Sequence, residues 1–227
     1  GSLGGAFPIL QTKFSGFRQF GQSTMEEIIA RTTLKMNHKL LKLTDSIVLL
    51  NRGDHFQDHL LPIEAQFAPV FGLGIGDFDS DGKLDAVLNQ NCFSTTSIGG
   101  RQDAGGLLLL KGDGVGDFKS LTPSESGLKA FGQGRGLALC DFNHDGRLDF
   151  VSSQNGGPTK TYLNQSDRSG IRGRLRGHPG NRQAIGSRVR LVFSENKFGP
   201  RQEIGLGAGY WSQDSGTLIL GYDDIPE

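Results

Sequence analysis

The sequence has little of three features that would each restrict its class of function. Its 24 basic and 24 acidic side chains cancel, so no global charge attracts a nucleic acid or an anionic membrane. Its two cysteines, Cys92 and Cys140, cannot form a disulfide framework and leave open either one bridge or two buried thiols. No apolar run approaches the roughly 18 to 20 residues that span a bilayer. A basic segment followed by an apolar one, which would mark a signal peptide, is also missing, so we expect any export signal to lie upstream or to have been removed.

Common catalytic motifs are absent as well. The chain contains no G-x-S-x-G, no H-E-x-x-H and no G-x-x-x-x-G-K-[ST] segment. The G-x-G-x-G runs at 72–76 and 132–136 lack the spacing of a dinucleotide-binding loop, which favours their interpretation as parts of β structure. The sequence therefore predicts a chain that is not an enzyme.

Glycine, in contrast, is abundant. The 35 glycines amount to about twice the usual fraction, which favours many tight turns and short strands. Apolar runs that end in a polar turn with an aromatic residue occur at 47–56, "IVLLNRGDHF", and at 107–118, "LLLLKGDGVGDF". Short strands with such turns are typical of an all-β sandwich, barrel or propeller blade.

An internal duplication occupies the middle of the chain. Residues 72–91, "GLGIGDFDSDGKLDAVLNQN", align without gaps to residues 136–155, "GLALCDFNHDGRLDFVSSQN". Eleven of the twenty positions are identical at an offset of 64 residues, far more than chance produces. We expect a third copy to begin at 161–167, "TYLNQSD", where the pattern stops.

Each repeat contains an acidic loop of the form D-x-[DN]-x-D-G-x-x-D, at 77–85 (loop one) and 141–149 (loop two). Alternate side chains of such a loop can converge on one point, and hard oxygen ligands in this number suit calcium. The predicted ligands of loop one are Asp77, Asp79, Asp81, Asp85 and the Lys83 carbonyl. Those of loop two are Asp141, Asn143, Asp145, Asp149 and the Arg147 carbonyl. Because loop two has one carboxylate fewer, we expect it to bind calcium more weakly.

Two other interpretations of the acidic loops are an EF-hand and a solvated acidic turn. An EF-hand requires a bidentate acid at position twelve and flanking helices, but that position is Leu88 in one copy and Ser152 in the other, between β-like segments. The loops are alternatively solvated acidic turns, since Asp and Gly are common in turns. Calcium is favoured over plain turns because both copies keep ligand residue types at every coordinating position while the residues between them vary.

The two ends of the chain differ from the repeats. Near 23–43, Ser23 with Glu26 and Thr24 with Glu27 both fit a capping box, which predicts one or two short helices as an insertion. From about residue 168, "GIRGRLRG", "SRVRLVF" and "GTLILGY" read as strands of a second small β domain. The predicted domains are therefore 1–166 and 167–227.

The repeats and the tail resemble known families. Each acidic loop follows an apolar run and a polar turn with Phe, and the turn before loop one has the form N-x-G-D. The two loops with these preceding segments resemble FG-GAP/VCBS repeats, the blades of integrin-α-like β-propellers. The tail segments "GNRQAIGSRVRL", "RQEIGLGAGYWSQDS" and "LILGY" resemble the ASPIC/UnbV domain, which follows such repeats in relatives of cartilage acidic protein.

This resemblance implies a fold, a location and a function. The expected fold is all-β, a partial integrin-α-like propeller of about two blades followed by a small β-sandwich-like domain that is truncated, as in a piece of a longer protein. The implied function is a secreted, periplasmic or cell-surface calcium-binding scaffold for adhesion, with a protein or glycan as partner and no nucleic acid. The alternative is an accessory part of a carbohydrate-active enzyme whose catalytic residues lie outside this chain.

Overall fold

The computed structural model describes residues 12–31, 41–93 and 100–223, which belong to two compact units. The described part of the first unit consists of residues 12–31, 41–44 and 100. The described part of the second consists of residues 45–93 and 101–223 and contains both acidic loops. Within the described residues, no helix has the length and apolar character needed to cross a membrane.

The described residues of the first unit include two short helices, α1 (Phe17–Gln22) and α2 (Met25–Ala30). Thr24 forms the predicted capping box: its hydroxyl accepts from Glu27 N over 3.2 Å, and Glu27 Oε2 accepts from Thr24 N over 3.0 Å. Ser23 does not act as a cap, because its hydroxyl instead donates to the Gln19 carbonyl. The helix predicted near 23–43 is thus confirmed for α2, while residues 32–40 lie outside the described part of the chain.

The second unit is built from antiparallel sheets. A hairpin pairs β1 (Ile47–Asn51) with β2 (Phe56–Leu60), and a 3-10 turn at Ile63–Gln66 follows. The next four strands form one sheet in chain order: β3 (Val70–Gly76), β4 (Asp85–Gln90), β5 (Leu107–Gly112) and β6 (Phe118–Leu121). A short helix, α3 (Pro123–Ser126), leads to a three-stranded sheet of β7 (Gln133–Cys140), β8 (Asp149–Asn155) and β9 (Gly157–Tyr162).

The remaining strands of the described residues are short and form three separate pairs. They are β10 (Ile171–Arg174) with β15 (Thr217–Leu220), β11 (Arg188–Val189) with β14 (Gln202–Glu203), and β12 (Val192–Ser194) with β13 (Lys197–Phe198). Strands in small antiparallel sheets therefore dominate the described residues, and the all-β prediction is confirmed at this level.

The duplication is visible as two equivalent hairpins. Loop one joins β3 to β4 and closes on the pair Gly76 and Asp85, while loop two joins β7 to β8 and closes on Cys140 and Asp149. These four positions match at the predicted offset of 64 residues. The repeat found in the sequence is therefore a repeat of supersecondary structure.

One apolar core connects the two hairpins and the last strand. Its buried members are Phe78, Val87, Leu107, Leu128, Leu137, Leu139, Leu148, Phe150 and Ile219. Ile219 belongs to β15, on the C-terminal side of the domain boundary predicted at 166/167. That boundary stays a prediction, but the described segment after it contributes a buried side chain to the core of the repeats. Cys92 and Cys140 are half-buried free thiols, so the single bridge left open by the sequence is not formed.

Candidate metal centre

The first and last acids of loop one are buried at the base of the hairpin. Asp77 accepts hydrogen bonds from Asp81 N (3.0 Å) and Gly82 N (2.7 Å). Asp85 accepts from Phe78 N (3.0 Å), and its other oxygen accepts from the backbone N–H of a residue on β5 over 2.9 Å. These contacts fix both carboxylates, and they also fix the turn between them.

The turn itself requires backbone conformations that few residues adopt. Ser80 and Gly82 have φ values of 56° and 83°, and His144 and Gly146 at the equivalent positions have 65° and 78°. Glycine adopts this left-handed region without steric cost, which is the physical reason for D-G at this point of the motif. Loop two therefore follows the backbone path of loop one.

Three carboxylates of loop one converge. Asp77, Asp79 and Asp85 each offer an oxygen, and these oxygens lie within 4.8 Å of one another. Asp79 Oδ1 is buried and has no hydrogen-bond partner among the described residues. A buried, unpartnered carboxylate oxygen is unfavourable unless a cation or donor reaches it. This donor set can hold a metal ion.

The electrostatics of loop one also favour a bound cation. Burial raises the pKa of Asp77, and the backbone N–H groups of Gly82 and Asp81 oppose this rise only in part. The pKa of Asp85 is raised to about 6, chiefly by burial and also by the charges of Asp77 and Asp81, against the lowering effect of its backbone hydrogen bonds. A positive ion beside these groups would stabilise their charged forms.

Asp81 lies outside this trio. One of its oxygens accepts from Lys83 N over 2.9 Å, and the other faces Lys111 Nζ at 3.0 Å and Lys83 Nζ at 3.6 Å. Lys111 Nζ also donates to Asp79 Oδ2. The sequence did not indicate Lys111, because it lies on β5 and reaches the loop only through the register of the sheet. The ligand roles of Asp81 and of the Lys83 carbonyl stay predictions.

Loop two repeats the same scaffold. Asp141 accepts from Asp145 N (3.1 Å) and Gly146 N (3.4 Å), and Asp149 accepts from Phe142 N over 2.8 Å. The second oxygen of Asp149 accepts from a backbone N–H at residue 164, also over 2.8 Å.

Its remaining polar contacts differ from those of loop one. The Asn143 amide and Arg147 Nη1 both donate to Asp145 Oδ2 over 2.9 Å, and Arg172 Nε donates to Asp141 Oδ2 over 2.8 Å. Among the described residues, loop two has no three acids whose carboxylate oxygens lie within 4.8 Å of one another, as those of loop one do. Metal binding by loop two and by the Arg147 carbonyl stays a prediction.

A cleft of about 620 Å³ adjoins loop one. Asp79, Asp85 and Lys111 line one part of it, Phe150 and Tyr162 line another, and residues 124–128 and 163–166 contribute its remaining sides. The two aromatic rings are stacked with centroids 4.8 Å apart. Two of the three carboxylates, Asp79 and Asp85, thus line a concave surface.

No protein-family model matches this chain, and no curated protein matches it. The resemblance to FG-GAP/VCBS repeats and to the ASPIC/UnbV domain therefore depends on the quoted motifs alone.

Proposed function

We propose that this chain is a calcium-binding β scaffold that performs no chemistry of its own and belongs to an exported protein that binds a protein or a glycan. The observation that carries the proposal is the trio Asp77, Asp79 and Asp85, with its buried and unpartnered Asp79 oxygen. Calcium is the proposed ion because all the predicted ligands are hard oxygen atoms, and no His or Cys belongs to the group.

The sheets support the finer proposal of propeller-like blades. The strands β3 to β6 form an antiparallel meander in chain order, and β7 to β9 begin a second one after an equivalent hairpin. Four-stranded meanders of this kind are the blades of β-propellers. We propose that the two repeats are FG-GAP/VCBS blades, that loop two is a second and weaker calcium site, and that residues 167–227 are an ASPIC/UnbV-like domain.

Calorimetric titration of calcium into chelator-treated protein tests this function. We expect saturable binding and a rise in melting temperature, because an ion that binds only the folded chain stabilises it. Excess magnesium should not replace calcium, since it demands a smaller octahedral site. No heat and no thermal shift would overturn the proposal.

The repeats supply a matched pair of variants for this titration. Asp79→Asn gives loop one the residue that loop two has at the same position, and Asn143→Asp gives loop two the missing carboxylate. We expect the first variant to weaken the tighter site about tenfold or more and the second to strengthen the weaker site, because calcium affinity follows ligand charge. Glu195→Gln, which removes an exposed carboxylate far along the sequence, is the control.

A further inference from the structure

A basic side chain from a distant part of the sequence contacts each acidic loop. In loop one, Lys111 Nζ contacts Asp79 Oδ2 and lies 3.0 Å from Asp81 Oδ2. In loop two, Arg172 Nε lies 2.8 Å from Asp141 Oδ2. All three carboxylates are among the predicted calcium ligands. The two basic side chains therefore neutralise charge that a bound ion would otherwise neutralise.

The two contacts differ in the burial of the carboxylate. The side chains of Lys111 and Arg172 are similarly exposed, at 38% and 41%. The partners of Lys111, Asp79 and Asp81, are 42% and 16% exposed, whereas Asp141 beside Arg172 is 0% exposed. An exposed ion pair contributes little and can separate at small cost. A buried carboxylate that loses its partner is strongly destabilised. Lys111 can therefore leave loop one far more easily than Arg172 can leave loop two.

We propose that Lys111 and Arg172 are internal counter-ions that compete with calcium, and that the different burial of their carboxylate partners determines which loop binds the ion more tightly. The inference rests on the proposed calcium function and adds what sets the calcium affinity of each loop. Lys111 is a weak competitor, so loop one accepts an ion when Lys111 withdraws from Asp79. Arg172 is a strong competitor and holds loop two in a neutralised state.

Lys111→Met tests the first half of the proposal. Methionine keeps an unbranched side chain of similar length without the charge, so the competitor is removed with little change in packing. We expect the calcium affinity of loop one to rise about fivefold, the factor that an exposed ion pair can contribute. Lys119→Met is the matched control, because Lys119 is the cross-strand neighbour of Lys111 on β6. It removes the same charge from the same hairpin and should change the affinity by less than a factor of about two.

Arg172→Met tests the second half. In chelator we expect its melting temperature to fall below that of Arg174→Met, which removes the same charge two residues away on β10. Calcium should raise the melting temperature of Arg172→Met more than that of the wild type, since an ion then replaces the lost partner of Asp141. If Arg172→Met folds only with calcium present, Arg172→Lys provides the comparison, because its shorter side chain weakens the pair and should tighten the weaker site.

The outcomes separate this proposal from the function on which it rests. A wild type that binds calcium, with Lys111→Met and both Arg172 variants no tighter than their controls, would overturn the counter-ion proposal alone. Tighter binding by Lys111→Met in a chain whose wild type shows no measurable binding would support the counter-ion role and contradict the proposed function. Absence of binding in every variant would overturn both.

Discussion

At the scale of single residues, identical side chains in the two repeats have different environments. Asn91 is fully buried, and its amide donates to the Gly105, Phe131 and Gly132 carbonyls and accepts from Gly105 N. Asn155, at the equivalent position, is exposed. The identity of Asn91 and Asn155 indicates that the two repeats have a common origin. Their different burial predicts that the stability of the fold depends on Asn91 much more than on Asn155.

This difference predicts unequal costs for the same substitution. Asn91 has a φ of 88°, which glycine adopts freely, so Asn91→Gly removes the amide without adding backbone strain. We expect it to lower the free energy of unfolding by about 2–4 kcal/mol, because several buried backbone groups lose their partner. Asn155→Gly should cost about 1 kcal/mol or less. Urea denaturation in chelator measures both, and equal costs would contradict the prediction.

A second residue prediction concerns pH. Burial raises the pKa of Asp214, and the hydrogen bond from Leu139 N opposes this only in part. The folded state therefore retains the proton longer than the unfolded state, so stability falls as pH rises from the usual value of 3.8 through the raised pKa.

Asp214→Asn should abolish this part of the pH dependence. Asparagine keeps the oxygen that accepts from Leu139 N and cannot ionise, so we expect the variant to be more stable than the wild type at neutral pH and similar to it below pH 4. Melting temperatures measured across this range in chelator provide the check, with Glu195→Gln as the exposed-acid control. A variant that melts below the wild type at pH 7 would show that the carboxylate is stabilising.

At the scale of elements, the equivalent strands β3 and β7 pack closely because β3 carries glycine on the facing side. A Cβ on Gly72 would lie 2.5 Å from the Arg135 carbonyl oxygen, and one on Gly74 would lie 2.6 Å from Leu137 Cδ2. Both distances are shorter than real Cβ contacts allow. The abundance of glycine in the sequence is thus explained here by sheet packing as well as by turns.

Gly72→Ala should therefore destabilise the second unit. The obstacle is a backbone carbonyl, which cannot rotate away as a flexible side chain can, so we expect a loss of about 1–3 kcal/mol. Gly173→Ala on β10 is the control, because a Cβ there meets no atom within 4 Å. Chemical denaturation of both variants decides the matter, and a neutral Gly72→Ala would contradict this packing.

Much of this arrangement could be predicted from the sequence because it is local. The D-x-[DN]-x-D-G-x-x-D spacing predicted both loops, their flanking strands and the carboxylates that converge in loop one. The contacts of Lys111 and Arg172 with the loops could not be predicted. Lys111 contacts acids that lie 30 and 32 residues away in the sequence, and Arg172 contacts one that lies 31 residues away. Such contacts depend on how strands pair and pack, and the segments "LLLLKGDGVGDF" and "GIRGRLRG" that contain these residues predict strands but not these partners.

In the second unit as a whole, the pair of β10 and β15 is tied to both acidic loops. Tyr222 N donates to the Ser80 carbonyl of loop one over 3.3 Å, and Gly170 N donates to the Gly146 carbonyl of loop two over 2.8 Å. These contacts lie at the ends of the β10 and β15 pair, and Ile219 of β15 is buried in the core of the repeats. The C-terminal pair and the repeat hairpins should therefore lose structure together.

Ile219→Ala tests this coupling. We expect a loss of about 2–4 kcal/mol, since the side chain is 2% exposed and its removal leaves a cavity. Hydrogen exchange should become faster in β4 and β8 as well as in β15. Ile171→Ala, which truncates a more exposed side chain on β10, is the control. Faster exchange confined to residues after 166 would instead indicate two independent domains.

An anomalous difference map from crystals grown with calcium tests the proposed calcium site of loop one, from which Lys111 withdraws. We expect a peak about 2.3–2.6 Å from oxygens of Asp77, Asp79 and Asp85, with Lys111 Nζ no longer on Asp79. A loop without a peak in saturating calcium, with Lys111 still paired to Asp79 and Asp81, would contradict it.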